Sequence, residues 1–219
     1  FESDLEVVAV LDADIDLTSF AVTGVDTIDL NGYVGTLTVE QANIAINSNT
    51  NTPQAGGYKV VDTATEIDGV TSGSALSGAI TVHATDASIA EALSLYGKAD
   101  VDSYAMDTGL TTELEGLTVD EAVAYGHASN YTAPQETGGK PFTINDTALE
   151  LYQAEADGDH TRLALLDATV VTSSGGTVTV AGAKTVLGIA GFDDSTGSFN
   201  IEDTAAHVLA EAAVANAGV

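Results

Sequence analysis

The chain has 219 residues, enough for one large domain, two small ones or several stacked repeats. It carries 33 acidic side chains against five basic ones, a formal net charge of −28, and no Cys. No cluster of Lys or Arg is present to neutralise phosphates, which excludes nucleic acid and an anionic membrane surface as partners. The missing thiols exclude disulfides, thiolate zinc sites and cysteine nucleophiles. No stretch approaches the roughly 18 apolar residues of a membrane span, so no membrane insertion is expected. A surface this acidic repels itself less where salt screens it, which suits a saline or calcium-containing exterior.

In chain order, the first 24 residues fit no repeat and form an N-terminal edge or assembly segment, with a short β-favouring run from Leu5 to Val10. Within it, Asp12-Ala13-Asp14-Ile15-Asp16 resembles the opening of a calcium loop. Leu17 stands where such a loop needs Gly and Thr23 where it needs Glu, so an EF-hand is rejected. On a strand the three carboxylates would share one face, where a cation or solvent must separate them.

Residues 25–219 read as a repeat array. One motif runs aromatic, x, aliphatic, x, Asp-Thr-Ala. It occurs at Tyr58-Lys59-Val60-Val61-Asp62-Thr63-Ala64, at Phe142-Thr143-Ile144-Asn145-Asp146-Thr147-Ala148 and at Phe199-Asn200-Ile201-Glu202-Asp203-Thr204-Ala205. Tyr104-Ala105-Met106-Asp107-Thr108 is a decayed copy, one residue shorter. Alternating apolar residues predict a short strand, and the Asp has the chemistry of a helix N-cap. A second motif alternates with the first, at Leu37-Thr38-Val39-Glu40-Gln41-Ala42 and Leu117-Thr118-Val119-Asp120-Glu121-Ala122, with a weaker copy at Val178 to Ala183. Its Thr-x-x-Gln/Glu spacing is that of a capping box. These helices should run to about Ile46, His127 and Ile189. Asp86 to Leu93 reads as another helix start, and Val25–Leu30, Ala79–His83 and Ala168–Thr172 as strands. The fold class is therefore α/β, an elongated, solenoid-like array of short strand–helix units. The alternative is an all-β sandwich subunit with helical insertions.

These interleaved motifs resemble the Ala/Thr/Asp-rich tandem repeats of very large secreted surface proteins of Gram-negative bacteria, adhesin-like or surface-layer-like. The resemblance spans roughly residues 25–214 and implies a secreted, extracellular or cell-surface location. The Gly-Gly-x-Gly-x-Asp calcium repeat of many such proteins is missing, so no site is carried over from it.

Further metal candidates are the loop pairs Asp100 with Asp102, Asp157 with Asp159, and Asp193 with Asp194, where backbone carbonyls could complete the six to eight oxygen ligands that calcium prefers. The histidines His83, His127, His160 and His207 lack metal-binding spacing. No nucleophile elbow, phosphate-binding loop or dinucleotide fingerprint occurs, and no catalytic residue is assigned. Asn130 and Asn145 each open an Asn-x-Thr sequon, with Asn130, in its loop, the better acceptor. The expected function is a structural, non-enzymatic, self-assembling segment of a surface layer, adhesin or filament, with itself as partner. The alternatives are a calcium-assisted module binding surface glycans and, third, a polysaccharide-active enzyme.

Overall fold

The structure, a computed structural model, describes residues 8–10, 27–29, 35–47, 58–70, 76, 78–110, 114–134, 136–157, 164, 165 and 167–217. It is a mixed α/β fold with parallel strands. Two compact units divide the chain, one of residues 1–108 with 128–130 and one of 109–127 with 131–219.

In the first unit, β1 (Val8–Val10) pairs in parallel with β2 (Thr27–Asp29). A four-stranded sheet follows, ordered β3 (Thr36–Leu37), β4 (Tyr58–Thr63), β5 (Ala79–Ala87) and β6 (Ser103–Met106). All its pairs are parallel, as strand–helix–strand crossovers require. The crossovers are α1 (Val39–Asn47), α2 (Ala64–Asp68) and α3 (Ile89–Tyr96).

The second unit repeats the pattern. α4 (Val119–Gly126) leads to β7 (Thr143–Thr147), α5 (Ala148–Asp157) and β8 (Val170–Gly175), which pairs in parallel with β7. β9 (Thr177–Val178), α6 (Val180–Leu187), β10 (Asn200–Ile201) and α7 (Ala205–Ala217) complete it.

The two sequence motifs prove to be neighbouring strands in one fixed register. Leu37 lies opposite Val60, Leu117 opposite Ile144 and Val178 opposite Ile201. Ala87 lies opposite Met106 in the same way, so the shortened copy at Tyr104 is a true strand of the set. Each motif strand is followed by a hydroxyl-capped helix. Thr38, Thr118, Thr179 and Ser88 accept from the backbone N–H of Gln41, Glu121, Gly182 and Glu91. Gln41, Glu121 and Glu91 return a side-chain oxygen to the backbone N–H of Thr38, Thr118 and Ser88, closing capping boxes. Gly182 has nothing to return, and a Cβ there would lie 3.1 Å from Val178 Cβ, so that helix trades the box for close approach.

The strands that begin a new copy are kinked where one pairing partner gives way to the next. In β5 the kink falls at Asp86, whose φ is +56°, a left-handed conformation that Asp tolerates better than most residues. Between β8 and β9 it falls at Gly175 and Gly176, with φ of +128° and +99°. The core is made of the repeated apolar positions: Tyr58, Val60, Ala64 and Ile67 in one copy and Phe142, Ile144, Ala148 and Leu151 in the next are all fully buried. Alanine on the inner helix faces, as at Ala42, Ala92 and Ala122, lets helix and sheet approach closely. Burial pushes the Tyr58 hydroxyl pKa up to about 12.

Candidate functional site

The repeated aspartate has a different task from the one its neighbourhood suggests. Thr63 is the N-cap of α2, accepting from Glu66 N–H at 3.3 Å, and Thr147 and Thr204 act likewise toward Glu150 and His207. The aspartate just before each Thr reaches sideways instead. Asp62 Oδ2 accepts from Val39 N–H at 2.9 Å, Asp146 Oδ2 from Val119 N–H at 2.9 Å and Asp203 Oδ2 from Val180 N–H at 3.1 Å. The other oxygen of each carboxylate accepts from the following Thr N–H, at 2.8, 2.7 and 2.7 Å. One carboxylate thus serves two helix starts, its own and that of the adjacent strand. Helix N-termini favour a negative charge there, which explains Asp rather than Asn. His207 sits 2.7 Å from Asp203 Oδ1, and this contact, ahead of the Thr204 and Val180 N–H groups, holds the Asp203 carboxyl below the usual range.

The expected metal ligands have other uses where they are described. Asp12, Asp14, Asp16 and Asp159 lie outside the described residues, and Asp157 ends helix α5 rather than lying in a loop. Asp102 Oδ2 accepts from Val82 N–H at 2.7 Å, prolonging the pairing of β6 with β5 by one residue. Asp193 Oδ1 accepts from Ser195 N–H at 2.9 Å and Oγ–H at 2.6 Å, and Oδ2 from Thr196 Oγ1 at 3.2 Å, closing its own turn. Ser195 holds its carboxyl below the usual range. Asp100 is half-buried in a turn and Asp194 is exposed. Among the described residues no group of three or more His, Asp or Glu is gathered as a metal site would need.

Asn130, the expected sugar acceptor, is occupied. Its carboxamide accepts from Met106 N–H and donates to Met106 C=O, both at 2.9 Å, imitating a strand neighbour for β6. Both asparagines are exposed, and Asn145 lies within β7. A cavity of about 160 Å³ is lined by Tyr131, Phe142, Asp167 and neighbouring small residues. Tyr131 donates to Asp167 at 2.8 Å across it, and burial raises the Tyr131 pKa. Ligand pockets run to roughly 300–1,000 Å³, so this one is too small for a sugar ring with its contacts.

The largest departure from the repeat lies at β10. Val60 and Ile144 are 0% exposed because each is paired on both sides: Leu37 and Val82 flank Val60, and Leu117, an isolated bridge, and Val171 flank Ile144. Ile201 has Val178 on one side, and on the other no strand among the described residues. It is 54% exposed, and Val208 and Leu209 on α7 are open with it. The position of Val208 is that of Ile67 and Leu151, both fully buried. No helix among the described residues is long and apolar enough to cross a membrane. Comparison with protein families, with curated proteins and with solved structures gives no match for this chain.

Proposed function

We propose that this protein is a structural segment or subunit of an extracellular assembly, a surface layer, adhesin or filament, built from strand–helix copies stacked as a solenoid-like array, and that it does no catalysis. The observation that carries this reading is the unfinished copy at β10. Two copies bury their second apolar position completely between paired neighbours on both sides, while the third exposes Ile201 with a paired neighbour on one side among the described residues. An exposed strand edge beside apolar surface is a template for pairing with another chain. Stacked repeats share one core with their neighbours, so an apolar position left open on a copy favours cover by a further strand. The acidic surface fits the same role, because repulsion limits association at low ionic strength and salt permits it.

The test is sedimentation and negative-stain electron microscopy of the purified chain across protein concentration, in dilute buffer, in 1 M sodium chloride and in millimolar calcium. Ordered filaments or sheets in salt or calcium are expected. A monodisperse monomer under all three conditions refutes the reading.

A further inference from the structure

Helix α4 differs from the other hydroxyl-capped helices at one position. Eight residues beyond the capping hydroxyl, α1, α3 and α6 carry Ile46, Tyr96 and Leu187, whereas α4 carries Gly126. Neither conformation nor packing asks for glycine there. Its φ is not positive, and a Cβ on it would meet no atom beyond its own turn within 4 Å. Glycine is a poor helix residue, so what it contributes is space. That space belongs to the cavity of about 160 Å³: Gly126 and His127 are exposed at its rim, and Phe142 and Ala164 are buried in its wall. A second exchange adds charge. Gly78 stands four residues ahead of Val82, which lies opposite Val60, and Asp167 stands four residues ahead of Val171, which lies opposite Ile144. This copy has lost bulk at one point of the cavity and gained a carboxylate at another.

We propose that this cavity binds a primary ammonium on a short aliphatic stem, with the ammonium on Asp167 and the stem against Tyr131 and Phe142. Tyr131 donates to Asp167 Oδ2 at 2.8 Å, and Oδ1 accepts from no donor among the described residues. One free oxygen suits an ammonium, a compact charge with its own N–H donors, whereas the guanidinium fork calls for two. The rim is the C-terminal end of α4, the negative pole of the helix, which favours a cation in the same place. The aromatic rings of Tyr131 and Phe142 favour it as well. None of the described lining residues is Lys or Arg. A metal ion is poorly served, because one carboxylate and one phenol fall short of the six to eight oxygens that calcium takes. The volume is that of about five waters at roughly 30 Å³ each, close to the roughly five non-hydrogen atoms of butylammonium. The site stands apart from the assembly reading, since all its residues belong to one compact unit.

The experiment titrates the full chain with n-butylammonium chloride at pH 7.5, where an ordinary imidazole is mostly neutral, and follows amide shifts by NMR against matched sodium chloride. The amides of Gly126, His127, Tyr131 and Asp167 should shift saturably, with half-saturation on the order of 1–10 mM for so small a ligand. Gly126→Leu should weaken binding at least about tenfold while leaving the urea midpoint unchanged or higher, because Leu is the better helix residue. Asp167→Asn keeps an acceptor for Tyr131 and removes the charge, and should weaken binding about as much. Butanol, without charge, and tetramethylammonium, without N–H donors, should each bind at least about tenfold more weakly than butylammonium. N-acetyl-lysine methylamide separates the sources: binding equal to that of butylammonium points to a lysine side chain, and butylammonium binding alone points to a free amine. Shifts no larger than sodium chloride gives, full binding by folded Gly126→Leu, or equal binding of butanol overturns the proposal. Binding seen only in Arg162→Gln also overturns it, because the occupant is then the chain's own guanidinium.

Discussion

Asp146 is the place to test the sideways carboxylate. In Asp146→Ala the N–H groups of Val119 and Thr147 both lose their acceptor, at 2.9 and 2.7 Å. Val119 opens α4 and Thr147 caps α5, positions where losing a cap bond costs about 1 kcal/mol, and removing the charge from two helix N-termini adds a few tenths each. Asp146 is half-buried, so water replaces the lost bonds poorly, and the sum is about 2–3 kcal/mol. With a urea slope of about 2 kcal/mol per molar, the midpoint should fall by about 1 M. Asp146→Asn keeps one acceptor oxygen but turns an amide donor toward the second N–H, and should cost at least half as much. Hydrogen exchange separates the cross-strand bond from ordinary capping, because the amides of Val119 and of Thr147 should both exchange about 30-fold faster. If only Thr147 responds, or the midpoint moves by less than about 0.3 M, the carboxylate does not join the two strands energetically. The same substitution at Asp203, in the open copy, should cost less than at Asp146.

With a formal charge of −28, the melting temperature should rise from dilute buffer to 1 M sodium chloride as the screening length falls to about 3 Å, and identical curves in calcium and in matched sodium chloride would reduce the acidity to a solvation device. Asp68, Glu91, Asp193 and Asp203 are held below their usual pKa values in the folded chain, by Lys98, Thr65, Ser195 and His207 first in each case. Their contribution is present above the unfolded carboxyl values near 4 and is lost as pH falls through the lower folded ones. Circular dichroism should therefore show stability declining below about pH 4, and Lys98→Met should flatten that decline. Asn130→Ala removes both bonds to Met106 and should destabilise by about 1–2 kcal/mol in urea, and Asn130 expressed in a glycosylating host should stay bare while the protein is folded. Gly139→Ala would place a Cβ 1.9 Å from the Ala133 carbonyl oxygen and should cost about 2–3 kcal/mol, read in the same assay.

The strand–helix units were legible because their grammar is local. Hydroxyl caps, Glu or Gln three residues on, and alternating apolar residues mark α1, α4, β4 and β7 within a residue or two, whereas α3 begins three residues beyond the Asp86 expected to open it, which lies in β5. The partner of Asp62 was not legible. Asp and Thr stand side by side and either can cap a helix, so short-range reasoning gives the cap to Asp. Only the register of Leu37 against Val60 brings Val39 N–H, 23 residues away, within reach. Asn130 escaped for the same reason, since its mate Met106 lies 24 residues back. The kink at Asp86 left no mark, because aspartate is as ordinary in a helix-start motif as in a left-handed turn. One available signal went unused: Gly35, Gly116 and Gly176 all stand just ahead of the capped strands, a regularity that points to the strand entry.

The aspartate bond also bears on how such a chain tolerates change in length. It joins residues 23 apart in one copy, 27 in the next and 23 in the third, with the same geometry each time. The intervening contour is thus invisible to the bond, and lengthening a loop adds closure entropy only logarithmically. The chain between the two bonded residues is therefore where length can change from copy to copy without altering that bond. A lineage could diversify what it displays there while two oxygens and a Thr keep each copy in frame.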